Sequence, residues 1–255
     1  VCDFHHNISL DRDHYQVENL QHHVDELYRN NLVADKFTVA IDCTIDFVKS
    51  KDVQAFLEHN KDRIASGKLN VVLFRSAQKF DMFGMDNYYG GFTVNINNHA
   101  AFTAFNTRME APEDQLKGPS LQGLSHIGVH ASQDMDAYRK ALMDNTQRFY
   151  KFLPPELIWS PGSKSVMQIS RTDDPNAVFL DIQFSENPQA EDAFVNKLRA
   201  FAAQEGLAIT ERASFGFIIS NLATVLKGKK LRLTPGLEGP EIQDRYIAFF
   251  KAVYQ

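Results

Sequence analysis

The chain has 255 residues, an apolar fraction of 44%, a charged fraction of 23% and a formal net charge of −5. This composition is typical of a folded globular protein, and its acidic balance argues against nucleic-acid binding, which favours a basic surface. No apolar stretch approaches the length of a membrane span, and two cysteines are too few for a disulfide framework. We therefore expect a cytoplasmic protein without nucleic-acid or membrane partners.

The first part of the chain predicts helices that alternate with buried strands. The β-branched run "KFTVAIDCTIDFV" is apolar on both faces, which is typical of a strand in a parallel sheet. The order of strand, helix and strand then indicates an α/β layer. The predicted elements are helix 14–30, a strand in 36–48, a helix that Ser50 caps and Gly67 ends, and strands 69–76 and 90–97.

The pattern changes after a predicted long helix at 133–152. Proline and glycine interrupt the chain at "FLPPEL" and "SPGSKS", and shorter alternating segments follow. These segments predict a small α+β unit. Its elements are strands in 165–170, 176–184, 207–215 and 229–236, and helices at 189–205 and 240–253. We expect a large α/β domain over residues 1–155 and a small α+β domain over residues 156–255.

Two chemically useful side chains are expected at the carboxyl ends of separate strands of one sheet. Asp42 closes the first buried strand, and Lys79 follows the second, "LNVVLFRS". In open α/β sheets ligands bind beyond the carboxyl ends of the strands. A lysine after a strand is usually solvated when it stands alone. The order of Asp42, the "SAQK" turn, the "SFGF" turn and "LRLTPGLE" therefore carries more information than each motif by itself.

These motifs resemble those of the fold-type I pyridoxal-phosphate (PLP) enzymes, the aspartate aminotransferase superfamily. The stretch "SAQKFDMFGMDNYYGG" is most similar to the lysine loop of the cysteine and methionine branch. "AIDCT" resembles the strand end whose aspartate pairs with the pyridine nitrogen, and "LRLTPGLE" resembles a motif of the C-terminal domain. The lysine-loop positions that match are Ser76, Ala77, Lys79, Phe80, Asp86 and Gly90.

The resemblance implies a role for each matching residue. Lys79 would form the Schiff base with PLP and act as the shuttle base at the substrate Cα. Asp42 would keep the pyridine nitrogen protonated, although Asp46 stays open as an alternative. Ser76 and Gln78 would bind the cofactor phosphate.

Arg232 is the residue that the resemblance assigns to the substrate. Its planar guanidinium suits bidentate binding of an α-carboxylate, which a lysine could not match. The implied activity is that of an aminotransferase or of a carbon–sulfur lyase or synthase acting on an amino acid. No metal is implied.

The chain departs from this family at its front. Only 41 residues precede Asp42, and they contain no glycine-rich phosphate turn. We expect the chain to be the C-terminal part of a longer or split protein with an incomplete PLP-transferase-like large domain. It would work with a complementary N-terminal chain or segment in a homo- or hetero-oligomer, and would be inactive alone.

Two alternatives remain. Gln78 stands where the branch has a second hydroxyl, which favours a catalytically silent scaffold or interaction subunit with the same fold. A weaker hypothesis is a metal site among the histidines near the front. The spacing of these histidines matches no metalloprotease or zinc-finger pattern. They are His5, His6, His14, His22 and His23.

Overall fold

The structure is a computed structural model in which contacts divide the chain into two compact units. One unit comprises residues 1–8, 17–78 and 88–132, and the other comprises 9–16, 79–87 and 133–255. The residues that the structure describes are 2–3, 20–45, 50–83, 90–111, 122, 132–160, 165–170, 176–185 and 187–254. The predicted domains, 1–155 and 156–255, stay a prediction, because grouping by contacts does not test which segments fold independently.

The first unit contains a four-stranded mixed sheet in the order β1-β2-β3-β4. The first three strands are parallel and β4 runs antiparallel to β3. The strands are β1 (Cys2–Asp3), β2 (Phe37–Asp42), β3 (Leu69–Ser76) and β4 (Gly91–Ile96), and the helices are α1 (Leu20–Arg29), α2 (Lys51–His59), α3 (Lys61–Ala65) and α4 (Thr103–Met109).

The sequence explains how the helix between β2 and β3 begins and why it is broken. The Ser50 hydroxyl accepts a hydrogen bond from the Val53 N–H and so caps α2 as predicted. The expected single helix divides into α2 and α3 at Asn60, whose side-chain amide donates to the Phe56 carbonyl at 2.9 Å. An asparagine that binds nearby backbone in this way competes with the helical pattern.

One core holds the layers of the first unit together. Side chains of α1 and α2 pack on one face of β2 and β3, and burial of this apolar surface is the main stabilising term. The buried members of this core are Leu20, Val24, Val39, Ile41, Cys43, Val53, Phe56, Leu69, Val71 and Leu73.

Strand β4 differs from its neighbour because its side chains are largely exposed. Phe92 and Val94 are 40% and 42% exposed, whereas β3 is almost continuously buried. The six residues of β4 carry no charge and no proline, which are the usual protections of an edge strand.

The second unit contains an antiparallel sheet in the order β5-β6-β8-β7. Helices α6 (Pro188–Glu205) and α7 (Pro240–Tyr254) contribute to its core. Asn187 caps the start of α6, and Gly206, with φ 65°, ends it. The strands are β5 (Met167–Ser170), β6 (Leu180–Phe184), β7 (Asn221–Leu226) and β8 (Lys230–Thr234), and the helices are α5 (Ser132–Phe152), α6 (Pro188–Glu205) and α7 (Pro240–Tyr254).

The two faces of this second sheet are chemically different. One face carries the aliphatic and aromatic core, with Ile169, Ile182 and Leu231 among its buried residues. The other face carries Asp181 and Arg232, which lie opposite each other on β6 and β8. Alternation along each strand produces this division, since successive side chains point to opposite faces.

The fold class is confirmed, but one strand was misplaced by the sequence pattern. An α/β layer with a largely parallel sheet is followed by a smaller α+β arrangement, as expected. The predicted strand at 207–215 is wrong, because this segment forms only an isolated bridge at Thr210. The fourth strand is instead β7, which the sequence analysis did not identify. No helix in the described ranges has the length and apolarity that crossing a membrane requires.

Candidate functional site

The five predicted site residues are divided between the two units. Asp42, Ser76 and Gln78 belong to the first unit, and Lys79 and Arg232 belong to the second. Strand β3 ends at Ser76, so the chain passes from the sheet of the first unit to Lys79 within three residues.

In the first unit, the carboxyl ends of β2 and β3 are connected through Thr44. The Thr44 N–H donates to the Asp42 carboxylate at 2.8 Å, and the Thr44 hydroxyl accepts from the Ser76 N–H at 3.0 Å. The Ser76 hydroxyl accepts from the Gln78 N–H at 3.2 Å. These bonds bring the three predicted residues together at one edge of the sheet, where each side chain is only half-buried.

In the second unit, Lys79 contacts a loop that the "SFGF" motif forms. Its Nζ lies 2.5 Å from the hydroxyl oxygen of Ser214 and 5.2 Å from the ring centre of Phe215. Lys79 is half-buried and immediately precedes a short 3-10 turn, Phe80–Met82. The lysine amine therefore has a defined polar partner and an aromatic surface, unlike a solvated lysine.

Gly216 allows this loop to approach Lys79 closely. Its φ of 82° lies in the left-handed region, and an added Cβ would lie 3.3 Å from the Phe80 ring. The buried Tyr138 hydroxyl donates to the Gly216 carbonyl at 2.5 Å. Burial raises the pKa of Tyr138 well above its ordinary value, so the hydroxyl keeps the proton for this bond.

Arg232 lies on the polar face of the second sheet and is only 6% exposed. Its guanidinium carbon is 3.8 Å from the ring centre of Phe179, and its Nε is 3.4 Å from the Asp181 carboxylate. Lys230 Nζ reaches the other oxygen of the same carboxylate at 3.5 Å. Asp181 is thus shared by two cations, and stacking on Phe179 fixes the plane of the guanidinium.

Two polar atoms on β8 have no hydrogen-bond partner among the described residues. They are Nη2 of Arg232 and the hydroxyl oxygen of Thr234, and both are buried. These two side chains lie on the same face of β8, because the residues are two positions apart. An unsatisfied buried guanidinium nitrogen is energetically costly, which favours an anionic ligand at this position.

Lys79 and Arg232 are connected by two aromatic rings. The Phe215 ring lies beside Lys79 and is 5.8 Å from the Phe179 ring, on which Arg232 stacks. The second unit therefore contains two buried rings in contact, with an amine beside one ring and a guanidinium stacked on the other.

Sequence reasoning missed the residues that hold these two cations. Ser214 lies in a motif that the sequence analysis noted without assigning it a role, and Asp181 lies in a strand that was correctly predicted. An aspartate at an otherwise apolar strand position could have signalled a buried charge, since an isolated buried carboxylate needs a partner.

Some of the sequence predictions fall outside the described residues. They include Asp46, the alternative to Asp42, and the histidines His5, His6 and His14. Among the residues that are described, no group of three histidine, cysteine, aspartate or glutamate side chains could hold a metal ion.

Comparison with known proteins gives a fold likeness without a sequence match. No protein-family profile and no protein of curated function matches the sequence. The chain is similar to the structure of cystathionine gamma-lyase from Lactobacillus plantarum complexed with L-serine, with 15% identity and a TM-score of 0.52. The match covers 88% of this chain and 65% of that one.

A second similar structure is that of MetB from Corynebacterium glutamicum. It shows 14% identity and a TM-score of 0.48, with 91% of this chain and 66% of that chain covered. Only the first of these two TM-scores exceeds 0.5, so the likeness of fold rests on cystathionine gamma-lyase. This likeness confirms the expected fold.

Proposed function

We propose that this protein is a PLP-dependent enzyme that acts on an amino acid. The observation that carries the proposal is the pair of Lys79 and Arg232 in the second unit. A half-buried amine with a hydroxyl partner is suited to covalent chemistry. A buried guanidinium is suited to a carboxylate when one of its nitrogens has no partner among the described residues. The fold likeness supports the same class of enzyme.

The types of the predicted residues suit the cofactor that this proposal requires. Lys79 would carry it covalently, and the half-buried Asp42 carboxylate would pair with the ring nitrogen. Ser76 and Gln78 would bind the phosphate through their side-chain hydroxyl and amide. When bound, PLP supplies an electron sink for the carbanion that forms at the substrate Cα.

The chain's own residues would orient the substrate and move a proton. Arg232 binds the substrate carboxylate, and Phe179 keeps the guanidinium plane fixed while it does so. As a free amine, Lys79 Nζ would take the proton from the substrate Cα, and the Ser214 hydroxyl would hold that nitrogen in place. Transamination and carbon–sulfur lyase or synthase chemistry share this proton transfer, so the proposal includes both.

The proposal also includes a partner. The chain spans about 65% of the length of cystathionine gamma-lyase, and β4 leaves an uncharged edge with exposed Phe92 and Val94. A further strand could pair with this edge and cover those side chains. We propose that a complementary N-terminal chain or segment of the same enzyme pairs with β4. The active protein would then be an oligomer, and this chain alone would be inactive.

A borohydride experiment tests the enzyme proposal. The complete protein, incubated with PLP, should show a visible absorption band that borohydride abolishes, and mass spectrometry should locate the reduced adduct on Lys79. The variant Lys79→Ala should show neither the adduct nor turnover, whereas the exposed Lys68→Ala should keep both. A complete protein without a reducible chromophore on Lys79 would contradict the proposal.

The same variants distinguish the alternative of a silent scaffold. An enzyme loses turnover in Lys79→Ala, by a factor of about 10² or more for a group that transfers the proton. A scaffold or interaction subunit would instead keep its only activity, partner binding, in both lysine variants.

A further inference from the structure

Asn221, the first residue of β7, is completely buried and uses all of its hydrogen-bonding capacity. Its side-chain nitrogen donates to the carbonyls of Arg212 and Ser214, at 3.0 and 2.8 Å. Its side-chain oxygen accepts from the Thr210 hydroxyl and from the Arg212 N–H, both at 2.9 Å. One carboxamide therefore binds three residues of the preceding loop.

These bonds replace a strand ladder. The segment from 211 to 220 contains no strand, yet it passes the buried residue Ser214. Buried backbone groups need partners, and the Asn221 side chain supplies them for Arg212 and Ser214. The Ser214 N–H also donates to the Arg212 carbonyl at 2.7 Å, which makes the turn tight.

We propose that Asn221 is a positioning residue for Lys79. By binding the carbonyl of Ser214, it fixes the backbone from which the Ser214 hydroxyl reaches Lys79 Nζ. Asn221 itself has no contact with Lys79 among those described, so its effect passes through Ser214. The catalytic role of Lys79 in this arrangement rests on the proposed function. The hydrogen bonds from Asn221 to Ser214 and from Lys79 to Ser214 do not depend on that function.

The test measures the reactivity of Lys79 in the absence of cofactor. The full chain is labelled with a trace of acetic anhydride over a range of pH, and each lysine is quantified by mass spectrometry. The exposed Lys68 serves as the internal reference. The variant Asn221→Asp keeps the size and the acceptor oxygen but removes the amide donors to the Arg212 and Ser214 carbonyls.

We expect Asn221→Asp to raise the labelling of Lys79 relative to Lys68 by about fivefold, as for the loss of one ordinary hydrogen bond. The dependence of Lys79 labelling on pH should also differ between Asn221→Asp and the unchanged chain. Ser214→Ala should produce the same change, and the double variant should show no more than Ser214→Ala alone. An unchanged Lys79 profile in Asn221→Asp, or effects that multiply in the double variant, would overturn the proposal.

A matched control separates positioning from general destabilisation. Asn60 in the first unit is equally buried and donates from its amide to the Gln21 side chain and the Phe56 carbonyl, at 2.7 and 2.9 Å. Asn60→Asp should weaken its own unit without changing the Lys79 profile. A change of the same size in this control would also overturn the proposal.

A milder variant decides the question if Asn221→Asp does not fold. Thr210→Val preserves shape and removes only the hydroxyl that donates to the Asn221 oxygen. We expect a smaller rise in Lys79 labelling, together with faster hydrogen exchange at the Arg212 amide. If Thr210→Val changes neither Lys79 labelling nor hydrogen exchange at the Arg212 amide, the positioning role of Asn221 is contradicted. If PLP does not bind the protein, only the proposed function is contradicted.

Discussion

The two sheets of this protein place their candidate functional groups in different ways. In the first unit Asp42 and Ser76 lie at the carboxyl ends of parallel strands, where they are half-buried. In the second unit Asp181 and Arg232 lie opposite each other on the face of an antiparallel sheet and are almost completely buried. Polar groups at strand ends keep contact with solvent, whereas those on a covered face depend on one another.

This difference has an energetic consequence. A carboxylate at a strand end can be solvated or bound by a neighbouring N–H, as Asp42 is by Thr44. A carboxylate within a sheet loses its hydration and needs cations beside it, as Asp181 has in Lys230 and Arg232. The charged residues of the second sheet should therefore matter for stability as well as for binding.

The largest expected effect comes from removing the buried carboxylate. Asp181→Asn should lower the free energy of unfolding by about 3–5 kcal/mol, because it leaves Lys230 and Arg232 without their shared anion. Asp25→Asn in the first unit removes a partly exposed pair with Arg63 and should cost about 1 kcal/mol or less. Urea unfolding of both variants measures the comparison, and equal losses would show that the two units bury charge in equivalent ways.

A smaller effect is expected where the loop approaches Lys79. Gly216→Ala should lower stability by about 1–2 kcal/mol, because its φ is positive. Gly206→Ala has the same backbone penalty but nothing within 4 Å of the added methyl group. Only Gly216→Ala, whose methyl group would contact Phe80, should change the labelling of Lys79. If Gly206→Ala changes that labelling equally, the contact with Phe80 is irrelevant.

The edge of the first sheet should govern self-association more than stability. Val94→Lys places a charge on the exposed strand β4 and should reduce concentration-dependent association in sedimentation experiments. Its free energy of unfolding should change by about 0.5 kcal/mol or less. Leu226→Lys, on an edge strand of the second sheet and similarly exposed, is the control. If association falls only in Leu226→Lys, the strand edge that mediates self-association belongs to the second sheet.

A further effect is confined to alkaline pH and concerns the second unit. Burial, with a contribution from Glu238, raises the pKa of Tyr246 to about 12, and its hydroxyl donates to the Ala208 carbonyl. The folded state thus holds this proton more tightly than the unfolded state, so the resulting stability is present below the ordinary tyrosine pKa. It is lost as the pH rises toward the folded value.

Replacement of this tyrosine tests that dependence. Tyr246→Phe should lose about 1 kcal/mol at neutral pH and should show a shallower decline of stability between pH 10 and 12. Thermal unfolding at a series of alkaline pH values measures the decline. An identical slope in the variant would assign the alkaline loss to other groups, with Tyr138 as the next candidate because burial also raises its pKa.

Local sequence patterns were sufficient for most of the elements and for the placement of several candidate residues. The cap at Ser50, the end of α6 at Gly206 and the long helix α5 all follow from short-range preferences. The predicted strand at 207–215 was wrong. The backbone carbonyls of Arg212 and Ser214 accept hydrogen bonds from the Asn221 side chain rather than from a neighbouring strand. Periodicity reports burial, and it does not report which group supplies the hydrogen bonds.

The sequence by itself determined that Lys79 follows a buried strand and that Arg232 lies within one. The apolar residues that predict these two strands lie next to Lys79 and Arg232 in the sequence, so a short stretch is enough to identify each strand. The tertiary structure alone decided that Ser214 is the partner of Lys79, 135 positions away, and that Asp181 is the partner of Arg232, 51 positions away. Such partners depend on how distant segments pack, because a hydrogen bond requires a geometry that no short stretch of sequence specifies.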